Sequence, residues 1–137
     1  VVSSDLGDST DVHPREKKQI GERLARWALN KTYGFSDITP SGPLFHDFFV
    51  EDETAYISFE FAEGLMSSDG KPLRSFEVAE FSGLFFPATA EIEENVIKVK
   101  STRVKTPKYV RYGWSSYSDG NLINSEGLPA STFSTQF

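Results

Sequence analysis

Residues 44–61, LFHDFFVEDETAYISFEF, decide how this chain folds. Two runs rich in aromatic and β-branched residues, Leu44–Val50 and Thr54–Phe61, flank the acidic triplet Glu51-Asp52-Glu53. In the second run Ala55, Ile57, Phe59 and Phe61 alternate with Thr54, Ser58 and Glu60. A period of two gathers the apolar set on one face of a strand, whereas a helix would scatter it. The stretch therefore reads as a β-hairpin with one face for a core.

The same pattern continues downstream. Asp69-Gly70 marks a turn. Phe76–Phe81 and Phe85–Glu93 follow, Glu94-Asn95 turns the chain into Val96–Ser101, and Tyr109–Trp114 is the last clear strand. Short strands at this spacing imply a small antiparallel sandwich. From Ser115 to Phe137 the chain is rich in Ser, Gly and Asn and is expected to be irregular. No internal repeat is evident.

Upstream the texture changes. FSDITPSGP, residues 35–43, is a linker by composition. Before it, Ile20, Leu24, Trp27 and Ala28 recur at helical spacing and form one apolar stripe. Pro14 suits a first helical position, Glu16 suits the first turn, and Gly34 is a stop signal. The spacing predicts a helix from Pro14 to Tyr33. Gly21 in its middle costs about 1 kcal/mol against Ala, which points to close packing there. The fold class is thus α+β: one N-terminal helix followed by a small antiparallel β-sandwich. The parts are residues 1–34, a linker at 35–43, and a β-domain at 44–137.

Composition narrows the chemistry. The 137 residues include no Cys and two His, so disulfides, thiol nucleophiles and Cys-based zinc sites are excluded. His13 and His46 are far apart in sequence, so no multi-histidine metal site is expected; counting leaves carboxylate-rich magnesium or calcium sites open, though no EF-hand ladder of ligands is present. Aromatic residues make up 14% of the chain, enough for a real core and too many for a disordered one. No apolar run is long enough to span a membrane, and no signal peptide opens the chain. The net charge is −6, and residues 34–95 carry thirteen acidic against two basic side chains. That middle argues against a nucleic-acid groove. The basic cluster from Lys98 to Arg111 alternates with Ile97 and Val99, as on the wet face of a strand.

One segment carries possible chemistry: Gly7-Asp8-Ser9-Thr10-Asp11-Val12-His13-Pro14. It sets a His at the edge of the expected helix, after a loop with three carboxylates, Asp5, Asp8 and Asp11. A carboxylate beside an imidazole holds one ring nitrogen and stabilises the charge that a proton brings. This is the His-and-carboxylate half of a serine hydrolase. Residue types alone equally suit a capping or surface His. His46, in an aromatic strand, reads as structural. Tyr109, Tyr112, Trp114 and Tyr117 could stack on sugars or fill the sandwich core. Asn30-Lys31-Thr32 matches a glycosylation acceptor, a tripeptide that arises often by chance.

The stretch DLGDSTDVHPREKKQIGERLARWALNKTYG resembles the end of the catalytic domain of sialate O-acetylesterases, SGNH-type carbohydrate esterases that remove acetyl groups from sugars. SGPLF at Ser41–Phe45, DGKPL at Asp69–Leu73, VRYGW at Val110–Trp114 and NLINSEGLPASTF at Asn121–Phe133 are similar to their C-terminal region. The resemblance implies a Ser-His-Asp type mechanism with His13 as the base and no cofactor. It implies an acetylated sugar, here a sialic acid, as substrate, and a periplasmic or secreted location. It makes residues 1–34 the end of an α/β SGNH domain, whose remaining N-terminal catalytic portion is the implied protein partner. The nucleophile and oxyanion hole would lie in that portion, so this chain alone is expected to be inactive. Gly7-Asp8-Ser9 reads like a nucleophile motif but sits too close to His13, so Ser9 is taken as a loop residue. The SGNH pattern has Asp three residues before the His. Here that position is Thr10, and Asp11 lies two before. Asp11 is the favoured partner, with Asp8 or a main-chain carbonyl as alternatives. A non-catalytic sugar-binding or structural β-module is the competing reading.

Overall fold

A computed structural model describes residues 1–136. The chain opens with an irregular segment, then a helix, α1 (Lys17–Trp27), whose last turn widens into a π-helical turn at Ala28–Thr32. Ten strands follow. They are β1 (Leu44–Glu51), β2 (Thr54–Glu60), β3 (Met66–Ser67), β4 (Phe76–Ala79) and β5 (Phe86–Pro87), then β6 (Thr89–Glu93), β7 (Val96–Lys100), β8 (Tyr109–Tyr112), β9 (Leu122–Ile123) and β10 (Phe133–Ser134). One antiparallel sheet runs β1-β2-β7-β6, a second β10-β8-β4-β5, and β3 pairs with β9 as a small third ladder.

The hairpin is as the alternation demands. Phe48 pairs with Ile57 and Glu51 with Thr54, leaving Asp52 and Glu53 as a two-residue loop. Asp52 takes φ 53, a left-handed value that Asp tolerates better than most side chains. Ala55, Ile57 and Phe59 point inward and are buried, and Ile97 and Val99 of β7 line up beside them. Phe76, Val78, Val110 and Tyr112 of the second sheet complete the same core cluster. The two sheets therefore close on one another across a shared apolar layer.

Three expectations about element bounds need correction. First, the run Phe85–Glu93 is two strands, not one. Pro87 has no N–H to give a ladder, and at Ala88 the chain crosses between sheets. β5 pairs with β4, while β6 pairs with β7. Second, the tail from Ser115 is not merely irregular over its described residues. It contributes β9 and β10, and Phe133 stacks on Phe45 at 4.7 Å and meets Phe59 edge-on at 5.9 Å. Phe137 lies outside the described residues. Third, the helix begins at Lys17 rather than Pro14, with Glu16 as its cap residue.

The helix is attached in an unusual way. None of its residues is buried, and Leu24 is 55% exposed. Gly21 has no heavy atom within 4 Å of where a Cβ would stand, so it marks no close packing. Trp27 meets Phe61 edge-to-face at 6.1 Å, the one aromatic contact from the helix among the described residues. Gly34, at φ +75, ends the helical segment as its composition suggests.

The proline-rich segment after the helix is pinned to the tail. Pro40, Ser41, Gly42 and Pro43 are buried. At Gly42 a side chain would run into the carbonyl oxygens of Pro129 and Leu128. Ser131 donates its N–H to Pro43 O at 2.9 Å, and Asn124 Nδ2 donates to Ser41 O at 3.0 Å. Among the described residues no helix is long and apolar enough to cross a membrane.

Candidate functional site

The segment before α1 is a chain of side-chain-to-backbone turns, and this decides where His13 lies. Asp8 Oδ1 accepts the Thr10 N–H at 2.8 Å and the Thr10 hydroxyl at 2.7 Å. Asp11 N–H donates to Asp8 O, and Asp11 Oδ1 accepts the His13 N–H at 2.9 Å. Asp carboxylates that bind nearby N–H groups compete with helix formation, so the helix starts only at Lys17. His13 is consequently on a turn ahead of the helix, not at its edge.

Each of the three carboxylates has its own partner. Asp5 forms a two-pronged pair with Arg23, at 2.6 Å for both contacts, and Arg23 also donates to Val2 O at 2.9 Å. Arg23 is mostly buried, so this charge-assisted pair fixes the start of the chain against the helix. Asp8 is engaged with Thr10, whose hydroxyl holds its carboxyl below the ordinary carboxylate range. Asp11 remains, and its Oδ1 lies 3.5 Å from His13 Nδ1. Arg15 Nε approaches the other Asp11 oxygen at 3.8 Å. The structure thus brings His13 and Asp11 together and ties Asp5 and Asp8 elsewhere. The His13 side chain is 87% exposed, open to whatever stands opposite.

Asp8 and Asp11 wall two adjoining clefts. One holds His13, Arg15 and Glu16. The other is a broader groove between the turn segment and the loop after β8, with Arg74, Tyr117, Ser118 and Asp119 on its far side. That loop is firmly held. Ser75 Oγ donates to Asp119 Oδ1 at 2.8 Å, and Arg74 donates from Nε to Asp119 O at 3.2 Å. Arg74 also pairs with Asp69 at 2.8 Å. The amide of Asn121, with help from Arg74 and Ser67, holds the Asp69 carboxyl far below its ordinary range.

The other sequence candidates separate clearly. His46 is exposed and stands at the bulge of β1, where the register slips between Phe45 and Asp47. Ser9 lines the broad groove without a hydrogen bond to His13. Tyr112 is 3% exposed and packs tilted on Phe76, so it fills the core and cannot stack on a ligand. Its buried hydroxyl accepts the Leu122 N–H at 3.1 Å, and burial raises its pKa. Trp114 and Tyr117 are exposed, the latter by 62%. Asn30 Nδ2 donates to Ile38 O at 2.8 Å and so ties the end of the helical segment to the following chain. Nothing in the sequence pattern marks Arg74 and Asp119. Both lie in turn-rich stretches without periodicity, and only the fold brings residues 45 positions apart together. Among the described residues no three His, Asp or Glu side chains converge as metal ligands would.

No family model matches the chain, and no curated protein does. Among solved structures, the chain is similar to a carbohydrate acetylesterase from Xanthomonas citri, with 37% identity and a TM-score of 0.90. The likeness covers 96% of this chain but 31% of that protein, so this chain spans about a third of its relative's length.

Proposed function

We propose that this chain is the C-terminal part of a carbohydrate O-acetylesterase, supplying a catalytic His and an accessory β-domain to a serine-hydrolase site of SGNH type. The likeness to a carbohydrate acetylesterase at 37% identity along almost the whole chain carries this reading. The pairing of His13 with Asp11, with the other loop carboxylates committed elsewhere, supports it.

In this reading a serine from the preceding catalytic portion attacks the acetyl carbonyl, and His13 Nε2 takes its proton. Asp11, on the Nδ1 side, steadies the imidazolium. The tetrahedral intermediate collapses as His13 returns the proton to the departing sugar oxygen. Water, deprotonated by the same His, then releases acetate from the serine. The oxyanion donors belong to the missing portion. The parts are residues 1–34 at the end of the catalytic domain, the connecting segment 35–43, and the β-domain 44–137. An extracytoplasmic setting, periplasmic or secreted, goes with this reading. The resemblance names sialic acid as the sugar, and the charge of the groove bears on that choice.

Hydrolysis of an aryl acetate by the intact enzyme tests the assignment. His13→Ala is expected to lower kcat by at least about 10³-fold while leaving the fold in place. Asp11→Asn is expected to lower it less. The 137-residue chain alone is expected to be inactive. Turnover by this chain that survives His13→Ala would sink the proposal.

A further inference from the structure

Gly7, Asp8 and Asp11 line both the His13 cleft and the broad groove, so the two share a wall. We propose that the groove is a sugar subsite of the esterase, with Tyr117 as its stacking platform, and that it takes a neutral sugar rather than an acidic one. This rests on the reading of His13 given above.

Three observations carry the proposal. The first is position. Tyr117 belongs to the β-domain, yet its loop forms the wall that faces the turn segment carrying Asp11. A residue of the β-domain therefore lines the groove that shares Asp8 and Asp11 with the His13 cleft, and in this reading the β-domain does more than brace its neighbour.

The second is rigidity. The loop leaves β8 through Gly113, whose N–H donates to Ser75 O at 2.9 Å, and re-enters at Gly120, whose N–H donates to Ser118 Oγ at 3.2 Å. At Gly120 a side chain would strike the buried Tyr112 ring, so the loop lies directly on the core. Asp119 is held twice, by Ser75 and by Arg74. An exposed aromatic on a fixed loop offers a ready face at little ordering cost. The hydroxyl of Ser118 and the carboxylate of Asp119 lie beside it to meet sugar hydroxyls.

The third is charge. The groove is lined by Asp5, Asp8, Asp11 and Asp119 and by a single cation, Arg74. Arg23 answers Asp5 from outside the groove. Arg74, however, is shared between Asp69 and Asp119, and is therefore left with no spare positive charge. Among the described residues of this groove a sugar carboxylate meets net negative charge, and the nearest cation of the adjoining cleft, Arg15, lies 3.8 Å from Asp11; like charges repel. A neutral, hydroxyl-rich ring has donors for these oxygens and carries no such penalty.

The test compares substrates on the intact enzyme. In Tyr117→Ala the preference for an acetylated neutral oligosaccharide over an aryl acetate is expected to fall roughly three- to tenfold, through a higher KM for the sugar. Tyr117→Phe, which keeps the ring, is expected to restore it. An unaltered preference, or an equal loss on both substrates, overturns the subsite. An O-acetylated sialoside is expected to be the poorer substrate by at least about tenfold, and the reverse order overturns the choice of a neutral sugar. His13→Ala separates the two ideas. If it leaves turnover intact, the esterase reading falls whatever Tyr117 does.

Discussion

Arg26 and Glu126 stand 100 residues apart, yet both terminal nitrogens of the guanidinium reach one carboxylate oxygen, each at 3.1 Å. The helix is thereby strapped to the tail of the β-domain. Arg26 also donates to Thr39 O at 3.0 Å. Because both partners are part-exposed, the pair contributes modestly, on the order of 0.5 kcal/mol at low salt. Arg26→Ala is expected to speed amide exchange in α1 while leaving exchange in β2 and β7 unaltered. The difference from the parent should shrink as salt is raised. Equal acceleration in helix and sheets would show that the strap is not local.

Gly42 is the closest approach of the connecting segment to the tail. Gly42→Ala places a methyl against the carbonyl oxygens of Pro129 and Leu128. Backbone must shift, and a loss of about 1–3 kcal/mol is expected from denaturant unfolding. Gly21→Ala is the matching control. Its site is open, and a gain of up to about 1 kcal/mol from helix propensity is expected.

Asp69 supplies a pH signature. Its folded pKa is depressed, chiefly by Asn121 and then by Arg74. The stabilisation is therefore fully present above the unfolded value of 3.8 and is lost as pH falls through the lower folded value. Asp69→Asn is expected to lower Tm at neutral pH. The gap from the parent should narrow as the medium is taken well below pH 3.8. A gap that widens on acidification would contradict the assigned sign.

Asn124 is 2% exposed and satisfies every polar group it has. Its amide nitrogen donates to Ser41 O and Phe61 O, and its oxygen accepts from Glu126 N–H and Leu128 N–H. Asn124→Ala leaves several of these buried groups without partners, and a loss of about 3 kcal/mol or more is expected. Calorimetric unfolding checks it. A drop of only a few tenths would mean that water replaces the amide.

The β-hairpin at Leu44–Phe61 was legible because burial on one face forces a strict alternation of residue types. The helix was legible from its stripe, although not its start, since the Asp8 and Asp11 turns override the Pro14 signal. The tail was not legible. β9 and β10 are two residues each and show no period, and what orders them is side-chain bonding from Asn121 and Asn124 to distant carbonyls. Site residues followed the same rule. His13 and Asp11 are neighbours in sequence and could be paired on paper. Arg74, Tyr117 and Asp119 come to line one groove with Asp11 only through the fold.

The two asparagines of the tail also fix an order of events during synthesis. Asn121 secures the loop around Asp69 and Pro72, and Asn124 secures Ser41 and Phe61. All of those partners leave the ribosome earlier and stay bound to water until the asparagines arrive. The sheets can form as they emerge, but the loops at their ends close only when the stretch carrying Asn121 and Asn124 is free. A polypeptide stalled before that stretch would lack Leu122, Ala130 and Phe133 of the core as well as the latched rim, and would expose apolar surface that the longer chain covers.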